Sequence, residues 1–97
     1  KDEDSWIRLS AAKALANMND PSSVPSLIDA LVDPISNVRI AAAEALGMIG
    51  DERAVGMLIE KLKDDDWKVR KAAVEALGKS RDVSSVDSLI EVVRNTA

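Results

Sequence analysis

The chain of 97 residues contains no Cys and no His. The lack of Cys excludes disulfides and thiolate chemistry. The lack of His removes the side chain that most often acts as a general base and metal ligand near neutral pH. Tyr and Phe are also missing, and the only aromatic residues are two Trp. The apolar residues are therefore mostly Ala, Leu, Val and Ile, which favours closely packed helices over an aromatic-rich sheet.

Long apolar runs and a positive net charge are missing as well. No run approaches the roughly 18 apolar residues of a membrane-spanning helix, and the first residues do not show the basic-then-apolar pattern of a leader. The formal net charge of -4 suits neither nucleic acid nor an anionic membrane surface. We therefore expect a soluble, cytoplasmic protein that binds neither. Because the chain begins at Lys1 rather than Met, we expect it to be part of a longer protein.

The sequence does contain one pattern of residues that is repeated three times. Arg8, Arg39 and Arg70 lie 31 residues apart, and seven further positions keep the same residue in all three copies. Repetition at such a period is typical of a solenoid. We predict a single domain over residues 1–97, with repeats 4–34, 35–65 and 66–96, that belongs to a longer array.

Each repeat contains two stretches with the apolar spacing of a helix face. The predicted helices are 5–18 and 22–32, then 36–49 and 52–63, then 67–80 and 83–94. In the first repeat the two predicted buried faces are Ile7, Ala11, Ala14, Leu15 and Met18, followed by Val24, Leu27, Ile28 and Leu31. The many Ala residues leave little side chain between helices and should let neighbouring repeats stack closely.

The turn inside each repeat carries residues that end one helix and begin the next. Gly50, and less well Asn19, can adopt the left-handed conformation at a helix C-terminus, whereas Arg81 is a poor residue for it. The next position in every copy is an Asp that can act as an N-cap acceptor: Asp20, Asp51 and Asp82.

Pro25 falls near the start of the second helix, where proline is tolerated only in the first turn. We therefore expect this helix to begin late, with Ser22 or Ser23 sharing the capping. The same position holds Gly56 and Asp87 in the other repeats. Tolerance of Pro, Gly and Asp there indicates a face that does not pack.

The middle copy, "NVRIAAAEALGMIGDERAVGMLIEKLKDDD", resembles the short HEAT-like repeats first noted in phycobilin lyases. The resemblance covers Asp4 to Thr96, although Ala16 and Asn19 replace two Gly of the pattern, and Ser80-Arg81 replaces an apolar-Gly pair. It implies an all-α, right-handed α-solenoid of three stacked helical hairpins. It also implies that the second helices line a concave side and that the module binds other proteins. Tetratricopeptide and ankyrin repeats fit less well, because the chain has no Tyr and no His.

The repeated Arg8, Arg39 and Arg70 have two possible roles. They could bind anions as a ladder, or each guanidinium could hold a loop carboxylate or carbonyl between repeats. Recurrence in every repeat favours the structural role, and Asp33 and Asp64 are the natural partners.

Three other features could form functional sites, but each has a simpler interpretation. The run of Asp at 64–66 could hold a hard cation, but Asp66 is expected to cap the helix 67–80. Glu60 and Asp64 could form an acid/base pair, but nothing separates their pKa values in a shallow, wet groove. Trp6 and Trp67 are expected to cover loops between repeats, with an interface role as the alternative.

The far side of the second helices is the candidate binding surface. Its carboxylates and single Arg sum to -4, so the groove is predicted to be acidic, with Met57 as an apolar contact near its middle. The candidate residues are Ser22, Ser26, Asp29, Asp33, Arg53, Met57, Glu60, Asp64, Ser88 and Glu91.

From these residues we expect a protein-binding scaffold that takes a basic peptide or basic patch, and no enzyme, cofactor or metal. The alternative is an accessory subunit of a phycobilin-lyase-like chromophore-attachment complex. A HEAT-like nucleic-acid enzyme would need a basic groove, and a metal hydroxylase would need His. Apolar residues near the C-terminus, among them Ile90 and Val93, suggest either further repeats or end-to-end self-association.

Overall fold

The computed structural model describes residues 2–79 and 89–94, and these contain helices and turns but no strand. Five α-helices are α1 (Asp2–Met18), α2 (Val24–Ala30), α3 (Ser36–Ile49), α4 (Val55–Glu60) and α5 (Trp67–Lys79). Residues 89–94 are also helical. Short 3-10 turns precede α2 and α4 and follow α4, at Pro21–Ser23, Glu52–Ala54 and Lys61–Lys63. None of the helices in this described part has both the length and the apolar character needed to cross a bilayer.

The helix bounds agree closely with the prediction for the first helices. Helix α3 is as predicted, whereas α1 begins at Asp2 instead of residue 5. The second helices α2 and α4 are shorter α-helices that are each preceded by a 3-10 turn, because the chain enters each of them through a tight Asp-capped turn. Most of the last predicted helix, 83–94, lies outside the described residues.

The turns within the first two repeats have the expected chemistry. Asn19 and Gly50 both adopt the left-handed conformation, with φ of 53° and 72°. Asp20 Oδ1 accepts the N–H of Ser22 at 3.0 Å, and Asp51 Oδ1 accepts that of Arg53 at 2.8 Å. These predictions are confirmed, while Arg81 and Asp82 lie outside the described residues.

Pro25 occupies the first turn of α2, so the late start of this helix is confirmed. The capping expected from serine is wrong. Ser22 donates its own N–H to Asp20, and Ser23 Oγ donates to the carbonyl of Asp20 at 2.7 Å. Asp20 rather than a serine accepts the backbone N–H at this helix start, because an ionised carboxylate is a stronger hydrogen-bond acceptor than a hydroxyl group.

The helices form two layers. The first helices lie side by side, with α3 packed between α1 and α5, and each second helix packs on the first helix of the next repeat, α2 on α3 and α4 on α5. The core lies between the layers. Its largest fully buried side chains are Val24, Leu27, Leu31, Val38, Leu46, Val69 and Leu77.

Small residues set the distance between the first helices. A Cβ on Gly47 would lie 2.8 Å from Ala76 Cα and 2.9 Å from Ala76 Cβ, so only glycine fits this crossing of α3 and α5. The predicted close stacking of Ala-rich helices is confirmed here.

The predicted buried face of α1 is wrong for its outer residues. Ile7 is 67% exposed, Met18 is 64% exposed, and Ala11 and Ala14 are exposed as well. The residue equivalent to Ile7 in the next repeat, Val38, is only 1% exposed. The reason is position in the stack. In α3 this face packs against α1, whereas no helix of the described chain lies on the corresponding side of α1.

Candidate partner-binding face and the loops beside it

The repeated arginines connect consecutive repeats through their loops. Arg39 Nη1 donates to the carbonyl oxygens of Asp33 at 2.7 Å and Pro34 at 3.2 Å. Its Nη2 donates to Asp64 Oδ1 at 3.2 Å. Arg70 Nη1 likewise donates to the carbonyl of Asp64 at 2.7 Å. The structural ladder is confirmed, and these guanidinium groups are engaged within the protein.

Arg8 makes the first rung of this ladder. Its Nε donates to Asp33 Oδ2 at 2.6 Å and its Nη2 to Asp33 Oδ1 at 3.2 Å. Such a bidentate pair fixes the position of both groups. Asp33 Oδ1 also accepts the N–H of Ile35 at 2.9 Å, which shapes the turn before α3.

Asp33 and Asp64 therefore belong to the loops rather than to an open acidic face. Their side chains are only 8% and 6% exposed. Burial by itself raises the pKa of Asp33, but hydrogen bonds from Arg8 and Ile35 and the nearby positive charges outweigh it and hold that pKa below its usual value. The predicted net charge of the groove is corrected accordingly, because these two carboxylates are neutralised by Arg8 and Arg39.

The Asp run at 64–66 serves the turn into α5. Asp64 Oδ1 accepts the N–H of Asp66, and Asp66 Oδ1 accepts the N–H of Lys68 at 2.8 Å. The predicted N-cap role of Asp66 is confirmed. The Lys68 N–H also lowers the pKa of Asp66. Among the described residues, no three His, Cys, Asp or Glu side chains are grouped as metal ligands.

The Glu60–Asp64 pair lacks the environment of an acid/base site. Burial raises the pKa of Asp64, but the Asp66 N–H and Arg39 outweigh it and lower that pKa overall. Lys61 Nζ lies 3.6 Å from the same carboxylate. Asp64 is thus held as a carboxylate and is no proton donor at neutral pH.

Both Trp residues remain more than half exposed. Trp67 lines a shallow depression with Asp65 and Asp66, beside the loop that it was expected to cover, and is 58% exposed. Lys68 Nζ lies 5.9 Å from the centre of its ring. Trp6 is 68% exposed on α1, so it covers little and stays accessible for contacts.

The remaining predicted residues lie on the outer side of the second helices. Asp29, Glu60 and Glu91 occupy one equivalent position in the three repeats, and all are exposed. We call them the acidic row. Ser22 and Ser26 are exposed beside it, and Met57 is half-buried against the core. Ser88 lies outside the described residues.

Arg53 is exposed but not free. Its Nε and Nη2 donate to the two carboxylate oxygens of Asp51 at 3.1 and 2.9 Å, and Nη2 donates to the Pro21 carbonyl at 3.0 Å. These bonds raise the pKa of Arg53 and lower that of Asp51. Arg53 therefore links two repeats on this face. Because its guanidinium is bonded to Asp51 and to the Pro21 carbonyl, it does not neutralise the acidic row.

Sequence reasoning left out several residues of this surface. Pro25 and Gly56 are exposed between the candidate residues, which confirms for these two that their position does not pack. Lys63 and Arg94, also exposed, follow Glu60 and Glu91 by three residues, the distance of neighbours on a helix surface. The helical spacing alone would have placed Lys63 and Arg94 on this face. The face is an acidic row with a basic edge, rather than an acidic groove throughout.

Comparison with known proteins agrees with the repeated architecture. A family model described as HEAT repeats matches residues 1–60 and again residues 36–97, so the matches together span the chain. No curated protein matches the sequence.

Proposed function

The chain belongs to the HEAT-repeat family, and we propose that it is a scaffold that binds a partner protein through the outer side of its second helices. Proteins of this family commonly mediate protein–protein interactions and are generally not enzymes. The extended surfaces of repeat proteins arise because each repeat presents the same face to the same side. We further propose that the domain over residues 1–97 is a right-handed α-solenoid within a longer array.

The observation that supports this face is the acidic row. Asp29, Glu60 and Glu91 are exposed at one position of consecutive repeats, and no hydrogen bond or ion pair to their carboxylate groups is seen in the described part of the chain. The other two carboxylates first assigned here, Asp33 and Asp64, are held by arginines. Of the five carboxylates first assigned to this face, the acidic row is thus the part that the internal ion pairs leave for a partner.

The chemistry of the row favours a basic segment. Like charges repeated along a surface attract an opposite charge and speed its encounter. Pro25, Gly56 and the adjacent serines present little side chain, so a partner backbone can approach the helices closely. Met57 offers a half-buried, adaptable apolar contact beside the row. The basic edge at Lys63 and Arg94 would orient the partner, since it repels a cation on that side.

Charge reversal of the row tests this proposal. A partner is first captured with the wild-type chain and purified, and its affinity is then measured for wild type and for Glu60→Lys/Glu91→Lys at low and high salt. We expect binding to weaken by about tenfold or more at low salt, mainly through slower association, and the difference to shrink at high salt. The fold should be unchanged, because both side chains are exposed.

The chain offers a matched control in the other layer. Glu44 and Glu75 are exposed, equivalent to each other and one repeat apart, on α3 and α5. Glu44→Lys/Glu75→Lys makes the same change in net charge and should bind the partner as wild type does. Equal binding by both double variants would place the site elsewhere.

The alternative function, an accessory subunit of a phycobilin-lyase-like complex, rests on the resemblance of the repeat pattern. None of the contacts in the described residues favours it. Capture of a bilin-bearing protein by the wild-type chain would favour it over a scaffold of another pathway.

A further inference from the structure

A groove of about 250 Å³ lies between α3 and α5 on the exposed side of the first helices. Its floor is apolar, because the half-buried Ile40 and the buried Ala72 both line it. Trp67 stands at one end of the groove and is 58% exposed. Every residue that lines the groove is described, and further stacked repeats would extend the two layers without covering this side.

The charges of this groove are separated along its length. Lys68 and Lys71 lie at the end with Trp67, whereas Glu44 and Glu75 lie toward the other end, and all four are exposed. We call these the basic end and the acidic end of the groove. Lys68 and Glu75 are seven residues apart on α5, which separates the two ends by about 10 Å.

These charged groups lack counterions within the described chain. No ion pair to the side chains of Glu44, Lys71 or Glu75 is seen among the described residues. Lys68 Nζ lies 5.9 Å from the centre of the Trp67 ring, which holds a positive charge beside the aromatic group. The two Glu occupy equivalent positions of adjacent helices, so they do not stabilise the stack, but a cation between them would be attracted by both.

The packing of the repeats does not explain the residues at the basic end. The arginines that connect repeats recur in every copy, whereas Trp67 is replaced by Ser5 and Ser36 at the equivalent positions. Lys71 is likewise replaced by Ile40 in the second repeat. An exposed Trp and a Lys that occur in one repeat only are typical of a surface that contacts a partner.

We propose that this groove binds an amphipathic helix of a partner protein that carries an acidic, a large apolar and a basic residue on one face. The acidic residue lies against the basic end, the apolar residue contacts Trp67 and the floor, and the basic residue lies between the two Glu of the acidic end. The surface belongs to the other layer from the acidic row, so this partner is separate from the one proposed above.

A helix suits the groove better than an extended segment does. The groove is lined by the side chains of two helices whose backbone groups are bonded within each helix, so an extended backbone would find few partners there. A helix satisfies its own backbone groups, and it can lay its apolar face into a groove. Positions i and i+7 on one face of such a helix are about 10 Å apart, which matches the separation of the two ends.

Stapled helical peptides test the proposal. Each is an alanine-based helix of about fifteen residues with a staple on its far side, because short free helices are only marginally stable in water. The matching peptide carries Glu, Leu and Lys at positions i, i+3 and i+7. The other peptides replace its Leu with Ala, its Lys with Glu, or its Glu with Lys.

NMR titration of the isotope-labelled chain measures both affinity and location, because shifts in α3 and α5 are distinguished from shifts in α2 and α4. The matching peptide should shift α3 and α5. It should bind there about tenfold more tightly than the peptide without Leu, and about threefold more tightly than either peptide with like charges at both positions.

Trp67→Ser tests the aromatic contact. Serine occupies the equivalent position in both other repeats, so the fold should tolerate it. The variant should bind the matching peptide about tenfold more weakly than wild type. Trp6→Asn is the control, since it replaces the other exposed Trp with the residue of the second repeat, Asn37, and should bind as wild type does.

A charge reversal at the acidic end should invert the preference. In Glu44→Lys/Glu75→Lys both ends of the groove are basic, so the peptide with Glu at both positions should bind α3 and α5 more tightly than the matching peptide. Glu60→Lys/Glu91→Lys makes the same change in net charge in the other layer and should leave the order of the peptides unchanged.

Three results would overturn the proposal. The first is an inverted order in both double variants, which would show an effect of net charge alone. The second is a matching peptide that shifts helices other than α3 and α5 or binds no better than the like-charged peptides. The third is undiminished binding of the matching peptide to Trp67→Ser.

Discussion

The aspartates of this chain have three different roles, and the position of each aspartate within the repeat determines its role. Asp20, Asp51 and Asp66 accept backbone N–H groups at helix starts. Asp33 and Asp64 each hold, through the carboxylate, the arginine from the first helix of their own repeat, and Asp29 stays exposed on the outer face. The spacing of the aspartates relative to the helix starts identifies the capping role. Separating the second role from the third requires knowing which carboxylate the arginine of the first helix reaches.

The first prediction at this scale is that Asp64→Asn removes part of the acid sensitivity of the fold. The pKa of Asp64 is lowered in the folded state, so the unfolded chain takes up the proton first as pH falls. Its stabilisation is present above about pH 4–5 and is lost as pH falls through the folded pKa. We expect the variant to lose about 1–3 kcal/mol of unfolding free energy at pH 7 and to show a flatter decline on acidification.

The control for this measurement is Asp65→Asn. Asp65 is the next residue in the loop, its side chain is 95% exposed, and its contact with Arg39 is 3.5 Å long. Thermal unfolding of both variants and wild type between pH 3 and 7, in roughly unit steps, gives the comparison. The same pH dependence in all three proteins would show that the carboxylate of Asp64 contributes nothing through its partners.

Among the elements, α3 depends most on small residues, because it packs on both sides. Its buried residues include four Ala and Gly47, and the glycine lies against the backbone of Ala76 on α5. Backbone cannot move aside as a flexible side chain can. The contact between α3 and α5 therefore fixes how closely the second and third repeats stack.

We predict that Gly47→Ala destabilises the protein by about 1–3 kcal/mol, through a methyl group that the crossing cannot accept. The equivalent Gly78 has nothing within 4 Å of the position of an added Cβ. Gly78→Ala should be neutral or stabilising by up to about 1 kcal/mol, because alanine is the better helix residue. Denaturant unfolding of the two variants measures both changes, and equal effects would show that the close approach is relieved at no cost.

The whole molecule is a stack in which stability should vary along the chain. Helix α3 is covered by α1 and α5, and by α2 of the other layer, whereas α1 leaves Ile7 and Met18 exposed. Local unfolding in proteins follows such differences in burial. The middle of the stack should open last.

Native-state hydrogen exchange tests this expectation. Amide protons of α3 should exchange more slowly than those of α1, by about tenfold or more, although the two helices are similar in length. Equal protection in α1 and α3 would mean that the repeats unfold together as one unit.

The sequence by itself predicted the helices and turns of the first two repeats and the start of the third. Identical residues recurring at a fixed spacing, a 3.6-residue apolar period and residues suited to left-handed turns and caps are all local signals. Hence the bounds of α3, the conformation of Gly50 and the cap at Asp66 were predictable. The arginine ladder was also predictable, because a charge repeated in every unit needs a partner repeated in every unit.

The tertiary structure decided what each end of the stack exposes and which carboxylates remain open. Ile7 and Val38 occupy the same repeat position, yet Ile7 is exposed and Val38 is buried, because within the described chain α1 packs against the face of α3 that contains Val38 and no helix packs against Ile7. Asp33 and Glu60 both fall on the predicted groove, yet Asp33 turns into the loop because Arg8 arrives there from an earlier helix. Both outcomes depend on neighbours distant in the chain: the repeat spacing could name Asp33 as a partner for an arginine, but only the packing of the helices decided that this contact takes its carboxylate out of the groove.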